Sequence, residues 1–404
     1  MDVMSAYLNG ILDEEIYMKQ PPGYVDARFP DKVCRLRKSL YGLKQSARCW
    51  NAVIDDYLKM NGYMSSPADR CIYIKTIDDI IVLIALFVDD TIICCNDLQV
   101  LSTEKKMLSA TFEMDDQGAI HYFLGMAIKR DRGSRTLTID QSLYLEKVLK
   151  RFRMTECNPV TTPLENGKKF EPNKDDETFE LTEYQSAVGS LIYAAVSTRP
   201  DLSIAVAILS QFMANPNKEH WTGVKRVLRY VKGTSNYGLI YRYSDEFTLT
   251  GYSDADWAGD EATRKSMSGY IFKLGECAIS WGSKKQSVVA LSTTEAEYIA
   301  LSLACQEAVW IRKLLADVQL KQAVTTIQED NQGAIALSKN PTSHSRTKHI
   351  DIKYHYVRDL IERKEINVIY CPSNKMIEDF FTKGLPRIQY EQLRSPLGVE
   401  AIEN

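Results

Sequence analysis

The period of the hydrophobic positions changes several times along this chain, and each change predicts an element. Residues 40–58 carry apolar side chains at helical spacing, 80–88 form an apolar run of strand length, and 102–112 return to a short helical pattern. Segments 119–129 and 136–140 flank a polar turn at 131–134 and predict a hairpin. The polar stretch 158–180, with Pro159, Pro163 and Pro172 among many charges, has the composition of a linker. Helical patterns follow at 182–197, 200–213 and 218–232. Pro200 suits a first helical position, where its missing N–H has no partner to lose. From Phe247 the pattern predicts three strands, a long helix, then strand, helix, strand and helix. The break near residue 246 is the clearest boundary, and the elements of 247–387 form a closed set expected to fold alone.

Composition narrows the class. With 404 residues, 45% apolar and 25% charged, the chain has length for two to four domains and is neither disordered nor collagen-like. The run at 80–88 meets Asp89 and Asp90 well short of the roughly 20 residues that span a membrane. The start, MDVMSAYLNG, lacks the basic and apolar regions of a secretory signal. Nine cysteines, an odd number without a C-x-x-C pair, read as reduced thiols of an intracellular, non-secreted protein. A net charge of −3 gives no sign of a nucleic-acid partner, so that claim must rest on local features.

Four acids stand where a metal-dependent nuclease would need them. Asp254 ends a strand-like run, Glu297 lies early in the long helix, Asp330 follows the next strand, and Asp379 sits in the last predicted helix, 375–383. Strand ends and helix starts can converge on one sheet edge. Phosphodiester hydrolysis with two Mg²⁺ needs such a cluster of hard oxygen ligands. Each acid also has a structural reading. Asp254 and Asp256 could be turn acids, Asp330 could cap the next helix, and Thr294 with Glu297 fits a capping box. Positions 297, 301, 304, 308, 311 and 315, however, form one core-facing stripe, and a carboxylate there needs compensation. Ser292 with Glu295 offers an alternative box that frees Glu297.

The segments GYSDADWAGD, SMSGYIF, ISWGSKKQ, LSTTEAEY, EDNQGAIALSKNP and RTKHIDIKYHYVRD, in this order, resemble the ribonuclease H domain of copia-type retrotransposon polyproteins. The resemblance implies a ribonuclease H fold that cuts the RNA strand of an RNA–DNA hybrid, with Asp254, Glu297, Asp330 and Asp379 as metal ligands. SMSG and IEDFFTKGL depart from the usual STSG and ADIFTKPL types, and Asp379 keeps its place.

The N-terminal part is similar to the reverse transcriptase of the same elements, through MDVMSAYLNGILDEEIYMKQPPGY, SLYGLKQSARCW, LFVDDTII and YFLGMAI, then VGSLIYAAVSTRPD and LRYVKGT. The likeness runs over about residues 1–387. It implies Asp2, Asp89 and Asp90 as polymerase carboxylates for two Mg²⁺, and Tyr7 as the residue that screens the sugar 2′-oxygen. Phe87 stands where Tyr is commoner. Taken as a pair of residues alone, Asp89-Asp90 also fits a tight turn between strands. The family polymerase continues upstream of its first carboxylate with a fingers region. The strand of Asp2 is therefore expected to fray, and the polymerase to be truncated and inactive alone.

Residues 339–364 gather Lys339, Arg346, Lys348, Lys353, Arg358, Arg363 and Lys364 against three acids, a surface for phosphates or simply a solvated helix face. Arg346 and Lys348 are the substrate-binding candidates. His344, His349 and His355, five and six apart, make a poor metal set, and Trp257 and Trp281 read as core residues. The expected architecture is mixed α/β and α+β over several domains. A partial reverse transcriptase palm spans 1–150, a thumb or connection segment 151–246, a ribonuclease H-like domain 247–387, and a tail 388–404. The expected cofactor is Mg²⁺, two per site, or Mn²⁺. The expected partners are an RNA–DNA hybrid, an RNA template and a DNA primer, with no membrane. The rival reading is a decayed, inactive element that only binds nucleic acid.

Overall fold

The apolar run at 80–88 becomes the strand Ile80–Phe87, with Val82 and Ile84 fully buried two residues apart. The structure, a computed structural model, describes residues 1–174, 179–339, 351–372 and 376–402. It separates into two compact units, one holding Met1–Ile120 and Lys313–Lys321, the other His121–Arg312 and Gln322–Asn404. No helix among the described residues is long and apolar enough to cross a membrane.

In the first unit Ile80–Phe87 is third in a six-stranded antiparallel sheet, between Ile72–Ile77 and Asp90–Cys95. Helices Ser46–Met60 and Leu98–Thr111 cover one face through Trp50, Ile54, Leu58 and Leu108. The first begins six residues later than its pattern, because Gly42 takes a left-handed turn at φ 97°. The second begins four residues early because the Asp97 carboxylate accepts the Gln99 and Val100 N–H groups. The expected fraying of Asp2 is corrected. Asp2–Val3 lies inside the sheet, between Asp90–Cys95 and Met114–Asp115. Val3 N–H donates to Asp89 O at 2.9 Å, Thr91 N–H to Met1 O at 2.8 Å, and Met4 N–H to Glu113 O at 2.8 Å. A two-residue strand paired on both sides has its backbone groups satisfied.

The second unit carries two five-stranded sheets. One runs Val399–Ala401, Tyr237–Arg242, Thr136–Asp140, Met126–Asp131, Tyr122–Phe123, with the expected hairpin at its centre. The other runs Cys277–Lys285, Met267–Leu274, Leu249–Asp256, Thr325–Glu329, Ile366–Tyr370, antiparallel over its first three strands and parallel over the last two. The helix Thr293–Asp317 buries the expected stripe through Leu301, Ala304, Ala308 and Ile311. Two helices, Gln332–Lys339 and Asp351–Glu362, lie between the fourth and fifth strands, where the pattern predicted one.

Three expectations change here. The linker is docked: Leu164 is buried, and the Arg229 guanidinium donates to Asn158 O at 2.7 Å. Residues 388–404 are no tail among the described residues, since Tyr390, Leu397 and Val399 are buried and Val399–Ala401 pairs with Tyr237–Arg242. The core also crosses residue 246, joining Leu145 and Val227 to Ile271 and Phe380, and the Trp281 indole donates to Ala195 O at 2.8 Å. The set 247–387 is therefore not closed. At the centre of this unit, fully buried Arg199 makes a two-pronged pair with Asp201 at 2.8 and 2.6 Å and donates to Thr234. Tyr230 donates to the Asp201 carboxylate at 2.8 Å, and Tyr390 to its backbone carbonyl at 2.6 Å. One ion pair thus joins three segments distant in sequence.

Candidate active site

Three of the four nuclease acids converge. One carboxylate oxygen each from Asp254, Glu297 and Asp330 lies within 4.8 Å of the others. Asp254 comes from the central strand Leu249–Asp256, Asp330 from the residue after the parallel strand Thr325–Glu329, and Glu297 from the helix Thr293–Asp317. The competing cap roles are filled by other residues. Ala334 N–H finds Asn331 Oδ1 at 3.0 Å, so Asn331 caps the helix after Asp330. Glu295 N–H finds Ser292 Oγ at 3.2 Å and Glu295 Oε2 accepts the Leu291 N–H at 3.0 Å, which leaves Glu297 out of the cap.

Burial sets the electrostatics. Asp254 is pushed up to about 6, first by desolvation, against the Thr382 hydroxyl, which donates to its Oδ2 at 2.5 Å. Glu297 is pushed up to about 11 by desolvation and then by the charges of Glu329, Asp254 and Asp330. Its Oε2 has no hydrogen-bond partner among the described residues. Glu329, fully buried, accepts the Ser253 hydroxyl at 2.7 Å and is pushed well up by desolvation. Buried carboxylates crowded this closely hold protons or a cation. Hard oxygens around an orphaned carboxylate oxygen fit a divalent ion such as Mg²⁺. Asp379 is not in the cluster: its carboxylate pairs with Lys383 at 2.5 Å, one residue from Thr382.

In the first unit Asp2 stands directly across the antiparallel pair from Asp90, beside the two-residue turn Val88-Asp89. Val88 holds φ 55°, a strained value for a β-branched residue, and its carbonyl accepts the Trp50 indole N–H at 2.8 Å. Asp90 is raised by burial and then by the charges of Asp2 and Asp89. Asp89 accepts the Tyr41 hydroxyl at 3.2 Å, and the Tyr41 ring lies 4.7 Å from that of Tyr7. Among the described residues these three acids do not gather as closely as the nuclease set.

Comparison with known proteins shows the family. Residues 1–166 match the reverse transcriptase (RNA-dependent DNA polymerase) family. The Ty5-1 transposon protein YCL074W of Saccharomyces cerevisiae is 35% identical over 75% of this chain and 98% of its own length. The retrovirus-related Pol polyprotein from transposon TNT 1-94 of Nicotiana tabacum is 43% identical over 99% of this chain. The chain belongs to the copia-type Pol polyproteins. It spans 31% of the TNT 1-94 polyprotein and 27% of the RE1 polyprotein of Arabidopsis thaliana, to which it is 40% identical. Among solved structures, a ribonuclease H1 isolated from compost overlaps 34% of this chain and 93% of its own, with 14% identity and a TM-score of 0.25.

Within this copia-type chain the remaining sequence candidates divide. Arg346, Lys348, His344 and His349 lie outside the described residues. Arg363 is committed to Asp359 at 2.7 Å on the helix Asp351–Glu362. Trp281, expected in the core, packs against it half-buried, and Trp257 is 47% exposed and is no core residue. Sequence reasoning missed Glu329, Thr382, Trp50 and Tyr41. The signal for Thr382 was the FFTK segment itself, where a hydroxyl stands three residues after Asp379.

Proposed function

We propose that the second unit is a ribonuclease H that hydrolyses the RNA strand of RNA–DNA hybrids with Mg²⁺ or Mn²⁺. The observation that carries this is the meeting of Asp254, Glu297 and Asp330 within 4.8 Å on a five-stranded mixed sheet. These three would hold the metal, with Asp379 as a fourth ligand once released from Lys383. When bound, the ions activate the attacking water and stabilise the leaving oxygen. The chain's own residues prepare that centre. Thr382 fixes the rotation of Asp254, Lys383 balances Asp379, and Asn331 and Ser292 take the cap duties that would otherwise divert Asp330 and Glu297.

In the reverse transcriptase half, Asp2, Asp89 and Asp90 are the polymerase carboxylates and Tyr7 the sugar-screening residue under this proposal. Their looser arrangement, with Asp89 held by Tyr41, supports a chain that cuts hybrids without extending primers. The test is a labelled RNA–DNA hybrid and a primed RNA template given to the purified chain. Cleavage with Mg²⁺, none with Ca²⁺, and no primer extension are expected. Ca²⁺ fails because its longer, looser coordination misplaces the reacting oxygens. Hybrid binding without cleavage in Mg²⁺ or Mn²⁺ would favour the inactive, binding-only reading, and template-dependent extension would overturn the polymerase statement.

A further inference from the structure

Three residues beyond Asp254, Trp257 leaves nearly half of its surface to solvent while its one polar atom is already used, the indole N–H donating to Ala290 O at 3.1 Å. A large ring held in place with an open face is a platform for another flat group. It lines a cavity of about 300 Å³ in the second unit, together with Phe170 and Phe212. Phe212 is itself held by the His220 ring, parallel within 14° and 3.8 Å away. The rim includes Thr382 and Lys383, the residues that bond Asp254 and Asp379. The cavity therefore opens beside the acid cluster and does not include its three converging carboxylates.

Its charge and size restrict the occupant. Five lysines and three acids line it. Lys168 pairs with Glu219, Lys169 with Glu261 at 3.0 Å, Lys285 with Asp260 and Lys383 with Asp379 at 2.5 Å, whereas Lys265 has no carboxylate partner among the described residues. Lys265 is thus the cation left to meet a phosphodiester. The volume lies at the small end of the roughly 300–1,000 Å³ of ligand sites, too narrow for a duplex and sufficient for one nucleotide. Aromatic faces beside lysines are the means by which proteins hold single strands without reading sequence, since every base has a face to stack.

We propose that this cavity takes one unpaired nucleotide of a strand that runs past the acid cluster, its base against Trp257 and its phosphate toward Lys265. The site would let the chain engage the junction where a hybrid gives way to single strand. The inference rests on the nuclease reading only for the duplex it adjoins, and its test separates the two. Binding is measured by fluorescence anisotropy in EDTA with three probes: a blunt hybrid, the same hybrid with a short unpaired extension, and the single strand alone. The extension is expected to tighten binding about ten-fold, the order of one stacked base. Trp257→Ala should remove that gain, leave the blunt hybrid unchanged and weaken the single strand. Trp257→Phe should keep most of the gain, and Lys265→Gln should reduce it and flatten its salt dependence. Equal affinity for the blunt and extended hybrids, or a Trp257→Ala loss shared by both, would overturn the proposal, the latter placing a duplex there instead. If the blunt hybrid fails to bind, the nuclease reading suffers, and the single strand still decides the cavity: indifference to Trp257→Ala overturns it. A thermal transition matching that of the parent chain shows that each variant is folded.

Discussion

The two acid sets are built differently. In the second unit Asp254, Glu297 and Asp330 arrive on a strand, a helix and a post-strand turn, and packing buries Asp254 and Glu297 and half-buries Asp330. In the first unit Asp89 and Asp90 belong to one hairpin, and Asp2 is brought opposite them by strand register alone. The first arrangement is costly without a cation, because desolvated carboxylates repel each other and hold their protons. The second is cheap and open, with Asp89 satisfied by Tyr41. A buried cluster must hold protons or a cation; a register-made set can be folded and still not be gathered.

The sharpest way to break that contrast is to neutralise one acid in each set. Asp254→Asn or Asp330→Asn should lower hybrid cleavage by roughly a thousand-fold, the order of losing a metal ligand's several kcal/mol of transition-state stabilisation. Asp89→Asn should leave hybrid cleavage within about two-fold. Folded Asp254→Asn and Asp330→Asn proteins that cut like the parent, in single-turnover assays, would return these acids to structural duty.

Next is the frame that brings the buried set together. Asp201→Asn leaves a fully buried guanidinium without its charge partner, and breaking one side of such a pair costs about 3–5 kcal/mol. Calorimetry should show the transition of the second unit fall by many degrees while that of the first stays in place. For the same reason the piece 247–387, which lacks Leu145, Val227 and Tyr390 from its core, should melt below the piece 121–402. Equal melting temperatures would show that the shared core contributes little.

A smaller effect isolates positioning. Thr382→Val keeps the shape and removes the hydroxyl that bonds Asp254, so cleavage should fall about ten-fold, the order of one hydrogen bond to a charged group. Mn²⁺ binding followed by electron paramagnetic resonance should weaken in parallel, and Thr382→Ser should restore both. Weaker activity with undiminished Mn²⁺ binding would deny Thr382 a role at the metal site.

The smallest effect is a slope. Asp254 is raised to about 6 and Glu297 to about 11, both above the ordinary carboxylate range near 4. The folded chain then holds protons that the unfolded chain releases, so metal-free stability should decline as pH rises from about 4 through 6 and beyond. Mg²⁺ should flatten that decline by replacing the protons. Melting temperatures in EDTA that rise from pH 5 to pH 8 would contradict the burial of this cluster.

The local elements were legible because local rules make them. The run at 80–88 became a strand because an unbroken apolar run of that length suits one, and the stripe from Glu297 to Leu315 became a buried helix face because the 3.6-residue period follows from backbone geometry. Four acids could be named from the sequence, and three of them meet. What the chain could not reveal was which charges find each other. Thr382 turned to Asp254 across 128 residues, whereas Asp379 met Lys383 four residues on and Asn331 took the cap open to Asp330 within one turn. Asp2 looked frayed because its neighbours in sequence lie on one side only, while its partners are residues 89–91 and 113–115. Trp257 looked like core because hydrophobicity is a property of the residue, whereas exposure depends on what packs beside it. Sequence determined the periods, the caps and the inventory of chemistry; the tertiary structure decided pairing, burial and convergence, because those are fixed by long-range contacts that no local pattern encodes.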